Sequence, residues 1–177
     1  MIETARLILR PWRKADREPW AAINTNPEVS YWLGGLDRAK SDAAVDRYVE
    51  QFQTAGFCRW ALERRQDGAL IGSTGIMPAR NFVGEGAFEI GWRLARAAWG
   101  FGYATEAARA ALADSFSRAG LEEIIAYTAK INARSQAVME RINMVRDPAR
   151  DFEHTVLAKG DPLRPHVVYV ARRPTAQ

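Results

Sequence analysis

The run Trp99-Gly100-Phe101-Gly102-Tyr103-Ala104 alternates aromatic with small residues, and it lies between a strand-like segment ending at Leu94 and an alanine-rich stretch. A strand must give way to a helix within these few residues, and the bare backbone at the junction can be approached closely. The helical stretch, Thr105 to Arg118, puts Ala104, Ala108, Ala111, Leu112, Ser115 and Phe116 on one stripe. First-turn N–H groups of a helix lack intrahelical partners and carry the positive end of the macrodipole, so a phosphate is a natural ligand there. A glycine-rich loop that merely turns a strand into a helix fits the same spacing, and the pattern alone leaves both readings open.

The surrounding segments give the run its context. Arg6 to Arg10 alternates Leu7 and Leu9 against Arg6, Ile8 and Arg10 and reads as a strand closed by Pro11. Asp16 is expected to cap a helix running to about Asn24, ended by Asn26-Pro27. Ser41 is expected to cap a second helix, with Val45, Tyr48, Val49 and Phe52 as its apolar stripe and Gly56 as its stop. Strands are predicted over Cys58 to Arg64, Leu70 to Met77 and Gly86 to Leu94, and Asp67-Gly68 is a hairpin signal. Beyond the glycine run and its helix, ended by Gly120, come a strand over Ile124 to Ala129 and a helix from Asn132 to Ile142. A short strand near Met144, a loop rich in Asp and Pro, and a last strand over His166 to Ala171 follow. The class is therefore α+β or α/β, with a mixed sheet crossed over by the glycine-run helix, which puts the run at the carboxyl end of a strand.

At 177 residues and 47% hydrophobic, the chain suits one domain over residues 1–177. No stretch approaches the roughly 20 apolar residues of a membrane span, and Met1-Ile2-Glu3-Thr4-Ala5-Arg6 enters a strand without an apolar targeting region. A soluble cytoplasmic protein with no membrane partner is expected. The lone Cys58 excludes an internal disulfide and is expected to be a buried strand residue; with two distant histidines, no metal is expected. The net charge of +4 is spread among interleaved acids without a basic stripe, so no nucleic-acid partner is expected, although the field would attract an anionic cofactor.

Which phosphate ligand fits is narrowed by what surrounds the glycines. The dinucleotide fingerprint needs a third glycine where this chain has Thr105 and an acid ending the next strand, whereas Glu122 and Glu123 precede it. A phosphate loop of the Gly-Lys-Ser/Thr kind does not occur. Both nucleotide readings weaken.

The motifs Thr4-Ala5-Arg6-Leu7-Ile8-Leu9-Arg10-Pro11-Trp12, Asn26-Pro27-Glu28-Val29, Glu89-Ile90-Gly91-Trp92-Arg93-Leu94, Trp99 to Ala107, and Asn132 to Glu140 are each weak. In this order and separation, the chain resembles the Gcn5-related N-acetyltransferases (GNAT), in particular the ribosomal-protein N-terminal acetyltransferase (RimJ/RimL-like) branch. The resemblance covers nearly the whole chain. It implies an α+β, three-layer fold with helices on both faces of a mixed, mostly antiparallel sheet of six to seven strands, whose central parallel strands splay. It implies acetyl-CoA as cosubstrate, with the pantetheine arm on Trp92, Arg93 and Leu94. The pyrophosphate would rest on the amides of Trp99, Gly100, Phe101, Gly102, Tyr103, Ala104 and Thr105. Trp99 stands where the family usually has Gln or Arg, which costs one side-chain contact and leaves the amides untouched. Asn132 and Ser135 would serve the cofactor arm, and they also suit an N-cap and a first helical turn. Met139 fills the position of a proton-donating tyrosine, and Ser135 is the substitute the branch suggests. Asn143 replaces the usual glycine but tolerates a left-handed conformation.

Acetyl transfer to an amine needs a neutral amine, a polarised carbonyl and a proton route. Glu89, on an otherwise apolar strand, is the first candidate for that route; an ion pair with Arg93 or another arginine explains it equally well. The backbone N–H near Trp92 is the candidate oxyanion donor. His154 and His166 are candidate bases or acceptor contacts. Trp12, Trp20, Tyr31 and Trp32 would line the acceptor side or fill the core. The expected acceptor is a primary amine, either a protein N-terminus or a small amine such as an aminoglycoside or polyamine, bound by a monomer or homodimer. The rival reading is a CoA-binding module without catalysis.

Overall fold

Alternation of apolar residues builds a sheet that the described residues, 1–33, 35–79 and 86–174 of this computed structural model, place at the centre of the chain. Its strands are β1 (Ile2–Glu3), β2 (Leu7–Arg10), β3 (Arg59–Arg64), β4 (Leu70–Pro78), β5 (Phe88–Leu94), β6 (Glu123–Ala129), β7 (Val145–Arg146), β8 (Phe152–Glu153) and β9 (Pro165–Arg172). Their order is β1-β2-β3-β4-β5-β6-β9-β7, with β8 also on β9. The nine strands exceed the expected six to seven because β1, β7 and β8 have two residues each, too few to show a period. The sheet is antiparallel except between β5 and β6, where Glu89 pairs with Ile125.

The helices are α1 (Arg17–Thr25), α2 (Pro27–Ser30), α3 (Arg38–Ala55), α4 (Tyr103–Ser117) and α5 (Ala133–Arg141). Residues paired across neighbouring strands share a face. Glu89 pairs with Ile125 and Ile125 with Val170, so Arg93, two residue pairs along β5, shares their face, and it meets Asn24 of α1. Tyr169 lies on the opposite face and its hydroxyl reaches Gln136 and Glu140 of α5. Helices therefore cover both faces. Leu7, Leu9, Trp20, Val45, Leu62, Ile124 and Met139 are fully buried in the main core, and Ile125, Val168 and Val170 form a smaller one.

Several expectations are corrected. Asp37, not Ser41, caps α3, its side chain accepting from the Lys40 N–H. Ser41 is buried inside the helix and accepts a hydrogen bond from the Asn24 amide. Asp16 does precede α1, but its carboxylate makes no cap bond there and binds Arg10 instead. Arg10 is consequently buried, 4% exposed, although the alternation put it with the polar residues of its strand. Asn26-Pro27 ends α1 and at once begins α2, with Asn26 as cap and Pro27 in the first turn. The glycine-run helix starts at Tyr103 and buries Tyr103 and Ala107 in addition to Ala108, Ala111, Leu112 and Ser115. Gly56 ends α3 at a φ of 73°, Gly68 turns the β3–β4 hairpin at 71°, and Asn143 adopts 62° after α5.

Candidate active site

β5 and β6 run parallel but pair only at Glu89 and Ile125, so they part toward their carboxyl ends. Trp92, Arg93 and Leu94 remain bonded to β4 through Thr74, Ser73 and Gly72. Their other edge opens onto a cleft of about 1250 Å³. Trp92, Arg93, Leu94, Trp99, Gly100, Gly102, Tyr103, Ala104 and Thr105 line it, together with Asn132 and Ser135 from the start of α5. Phe101 does not line it; the ring turns outward, 62% exposed. Val29, Trp32 and Leu33 close one side. The cleft lies at the carboxyl ends of the parallel strands, where open sheets bind ligands.

The glycines are conformational requirements as well as bare surface. Gly100 has a φ of 87° and Gly102, the N-cap residue of α4, a φ of 79°, where a Cβ is strained. Trp99, the departure from the family pattern, acts as a strut. Its indole N–H donates to the Leu94 carbonyl at 2.9 Å, and its ring lies 5.1 Å from each of the Arg96 and Arg134 guanidinium carbons. Arg6, Arg96, Arg109, Arg134 and Arg141 line the same cleft, a concentration of cations that suits the phosphates of a nucleotide-like ligand. The cleft also binds α4 to the chain's beginning through a residue whose role the sequence did not reveal. Glu106 accepts from Thr4 Oγ1 at 2.6 Å, the Arg6 N–H at 2.9 Å and Arg6 Nε at 2.7 Å, while Arg6 Nη1 donates to the Phe101 carbonyl at 2.9 Å. Burial would raise the Glu106 pKa, but these bonds outweigh it and hold the carboxyl below its ordinary range.

At the start of α5 the Asn132 side chain accepts the Ser135 N–H at 3.2 Å, so the cap and the cleft lining coexist. Met139 is 1% exposed and packs in the core.

Glu89 stands outside the residues that line the cleft and pairs with Arg59, Nη2 to Oε1 at 2.6 Å; its Oε2 is buried with no hydrogen-bond partner. Arg59 reaches it across Gly91, where a Cβ would stand 2.3 Å from Nη2. Glu89, Gly91 and Arg93 share one face of β5 with Tyr127 of β6 and His166 of β9. On that face the Phe152 and His166 rings stack at 5.1 Å, and the His154 and His166 rings are also 5.1 Å apart. Desolvation lowers the His166 pKa, opposed by its hydrogen bond with the Arg164 carbonyl and supported by neighbouring His154. Of the four aromatics, Trp12 and Trp20 are core, Tyr31 is half exposed against Trp32, and Trp32 reaches the cleft.

Residues 6–145 match the family model described as an acetyltransferase (GNAT) domain. The chain belongs to that family, and it is an acetyl-CoA-dependent N-acetyltransferase. It is 30% identical over 145 residues to YkkB of Bacillus subtilis (strain 168), covering 81% of this chain and 84% of that one. An acetyltransferase from Agrobacterium tumefaciens superposes with a TM-score of 0.79 at 28% identity, over 97% of this chain and 93% of that one. The fold is shared with spermidine N-acetyltransferase from Vibrio cholerae in complex with CoA and spermine, at 18% identity and a TM-score of 0.76, over 96% and 97% of the two chains. It is also shared with RimL, a ribosomal L7/L12 alpha-N-protein acetyltransferase, at 15% identity and a TM-score of 0.75, over 96% and 95%. Among the described residues no helix is long and apolar enough to cross a membrane, and no three His, Cys, Asp or Glu side chains gather to hold a metal.

Proposed function

We propose that residues 1–177 act as one domain that transfers the acetyl group directly to a protein N-terminal α-amine, in the manner of the ribosomal-protein branch. The observation that carries the reading is the convergence, in one cleft, of the parted strand edge at Trp92 to Leu94, the left-handed glycines and the Asn132-capped helix. Acetyl-CoA supplies the activated thioester. The Trp99 N–H already donates to the Arg96 carbonyl at 3.2 Å, so the N–H groups of Gly100 to Thr105, with the nearby arginines, hold its phosphates, and the backbone of Trp92 to Leu94 orients its arm. Cys58 is 1% exposed and burial pushes its thiol up to about 12, which supports direct transfer without an acyl-cysteine. Glu89 takes the proton of the amine through water at its unpartnered Oε2, while Arg59 fixes the carboxylate. Ser135 returns a proton to the thiolate. Trp32, which lines the cleft, contacts the acceptor, whereas His154 and His166 are not among the residues that line it.

A panel of N-terminal peptides, polyamines and aminoglycosides, assayed by release of the free CoA thiol, tests the activity. Cofactor bound with no turnover on any amine would overturn catalysis in favour of a CoA-binding module; preference for polyamines would overturn the N-terminal acceptor. Glu89→Gln should lower kcat by about 10²-fold or more, with the Kd for acetyl-CoA unchanged. A second reading rests on His166, whose Nδ1 hydrogen-bonds with the Arg164 carbonyl, which fixes the ring on the same face as Glu89. If Glu89→Gln keeps its kcat and His166→Gln loses it together with the acid limb of the pH profile, His166 is the base.

A further inference from the structure

The face of β5 that carries Glu89 holds more positive than negative charge. Arg59 is matched by Glu89. Arg93 is matched by no acid: among the described residues it has no ion-pair partner within 4.0 Å, and Nη1 donates to the neutral Asn24 side-chain oxygen at 2.6 Å. Its guanidinium carbon stands 5.1 Å from the Trp20 ring, and its Nε is buried without a partner, as is that of Arg59. Burial pulls the Arg93 pKa down to about 10, with Arg59 adding to the effect. A cation so placed is costly unless an anion joins it.

The arrangement is built rather than accidental. Asn24 is fully buried, its amide donates to Ser41 Oγ at 2.7 Å, and its oxygen takes Arg93, so a chain of contacts from α3 through α1 fixes the guanidinium. Gly91 keeps the space between Glu89 and Arg93 free for Arg59. Arg93 lines the cleft where β5 and β6 part, as do Val29, Trp32 and Leu33.

We infer that the acceptor is a primary amine that also carries a carboxylate, and that Arg93, supported by Arg59 and Asn24, is the specificity-determining residue that binds this carboxylate. The inference rests on the acetyltransferase reading above and narrows its acceptor class. The amine of such a molecule lies within a few bonds of its carboxylate, so one end anchors at Arg93 while the other meets the acetyl group at the strand opening. A free amino acid and a peptide whose N-terminal residue is Asp or Glu present the same chemistry. A polyamine places a cation where the site already holds an excess of them.

The test compares matched amines in the wild-type enzyme: free α- and ω-amino acids and peptides beginning with Asp or Glu, each against its carboxamide. The carboxylates should show a kcat/KM at least about tenfold higher than their amides, the scale of one charge-assisted hydrogen bond; whichever group leads identifies the source. In Arg93→Gln the carboxylate-to-amide ratio should fall below about threefold, and Arg93→Lys should recover part of it. Carboxamides or polyamines used as well as or better than carboxylates by the wild type would overturn the inference and leave the acetyltransferase reading intact. Loss of CoA affinity in Arg93→Gln with an unchanged acceptor ratio would overturn it too, assigning Arg93 to the cofactor. CoA bound with no turnover of any amine would overturn both.

Discussion

Replacing Gly102 separates the two reasons a glycine stands there. Its φ of 79° and ψ of 4° lie in the left-handed region. A Cβ at this position would meet nothing closer than Arg6 Nη2 at 3.6 Å, an ordinary contact. Gly102→Ala therefore costs little sterically within the protein, and its penalty is the left-handed conformation, about 1–2 kcal/mol. Reduced freedom of the unfolded chain offsets about 0.4–1 kcal/mol of this. The net loss of about 1 kcal/mol should lower Tm by about 2–4 °C for a chain of this length. Gly102→Asn is the complementary variant, because Asn accepts this conformation, as Asn143 does at a φ of 62° in the same chain. It should hold Tm within about 1 °C of wild type yet still weaken CoA binding by about tenfold, the value of one charge-assisted bond between phosphate and backbone. Circular dichroism melts and calorimetric titration with CoA read the two effects. An Asn variant that binds CoA like wild type would refute the need for bare backbone, and an Ala variant with an unchanged Tm would refute the conformational cost.

Asp16→Ala removes the carboxylate that Arg10 Nη1 and Nη2 bind at 2.7 and 2.8 Å and leaves a guanidinium only 5% exposed with Glu63 as its remaining acid and the Pro11 carbonyl as its other acceptor. A loss of about 3 kcal/mol should lower Tm by about 6 °C or more, read by calorimetry. In the wild type, burial raises the Asp16 pKa, but the bonds from Arg10 and the Arg13 N–H more than reverse it, leaving the folded value below the unfolded one. The stabilisation is therefore complete above the unfolded value of about 3.9 and lost as pH falls through the folded one; the stability difference between wild type and Asp16→Asn should be constant above that value and shrink only as pH falls below it. The Cys58 thiol, raised to about 12 by burial, should react with a disulfide reagent at pH 8 only after unfolding.

What was legible in the sequence was whatever repeats locally. Two-residue alternation located the longer strands, Asp67-Gly68 the hairpin, and the glycine run the start of α4, because each depends on neighbours a few positions away. The misreadings involve partners far along the chain. Ser41 has the chemistry of a cap, yet Asp37 four residues earlier takes that role and Ser41 meets Asn24 in the core. Arg10 follows the polar parity of its strand but is buried because Asp16 and Glu63 both reach it. At the site, Trp92 to Leu94, the glycine run apart from the outward-turned Phe101, Asn132 and Ser135 share one cleft as their motifs suggest, whereas Arg96, Arg109, Arg134 and Arg141 join it only through the fold, and Glu89, His154 and His166 do not line it. The pairing of Glu89 was anticipated as an ion pair with some arginine; that the arginine is Arg59, thirty positions earlier, depends on the β3–β4–β5 register and on the space at Gly91.

The same distance argument explains why the first residues of the chain resemble the family as strongly as the cofactor loop does. Glu106, in the first turn of α4, places a negative charge close to where a pyrophosphate would rest, and by itself it would oppose binding. Thr4 and Arg6 convert it into an anchor: Glu106 takes their hydrogen bonds, and the Arg6 guanidinium then holds the Phe101 carbonyl and lies 4.7 Å from the Tyr103 ring. The loop amides thus keep their orientation while the nearby carboxylate is neutralised. β1 is an edge strand of the sheet and β2 lies next to it, but the segment they frame positions the start of α4, so the glycine conformations at 100 and 102 are set by residues about a hundred positions away as much as by the glycines themselves.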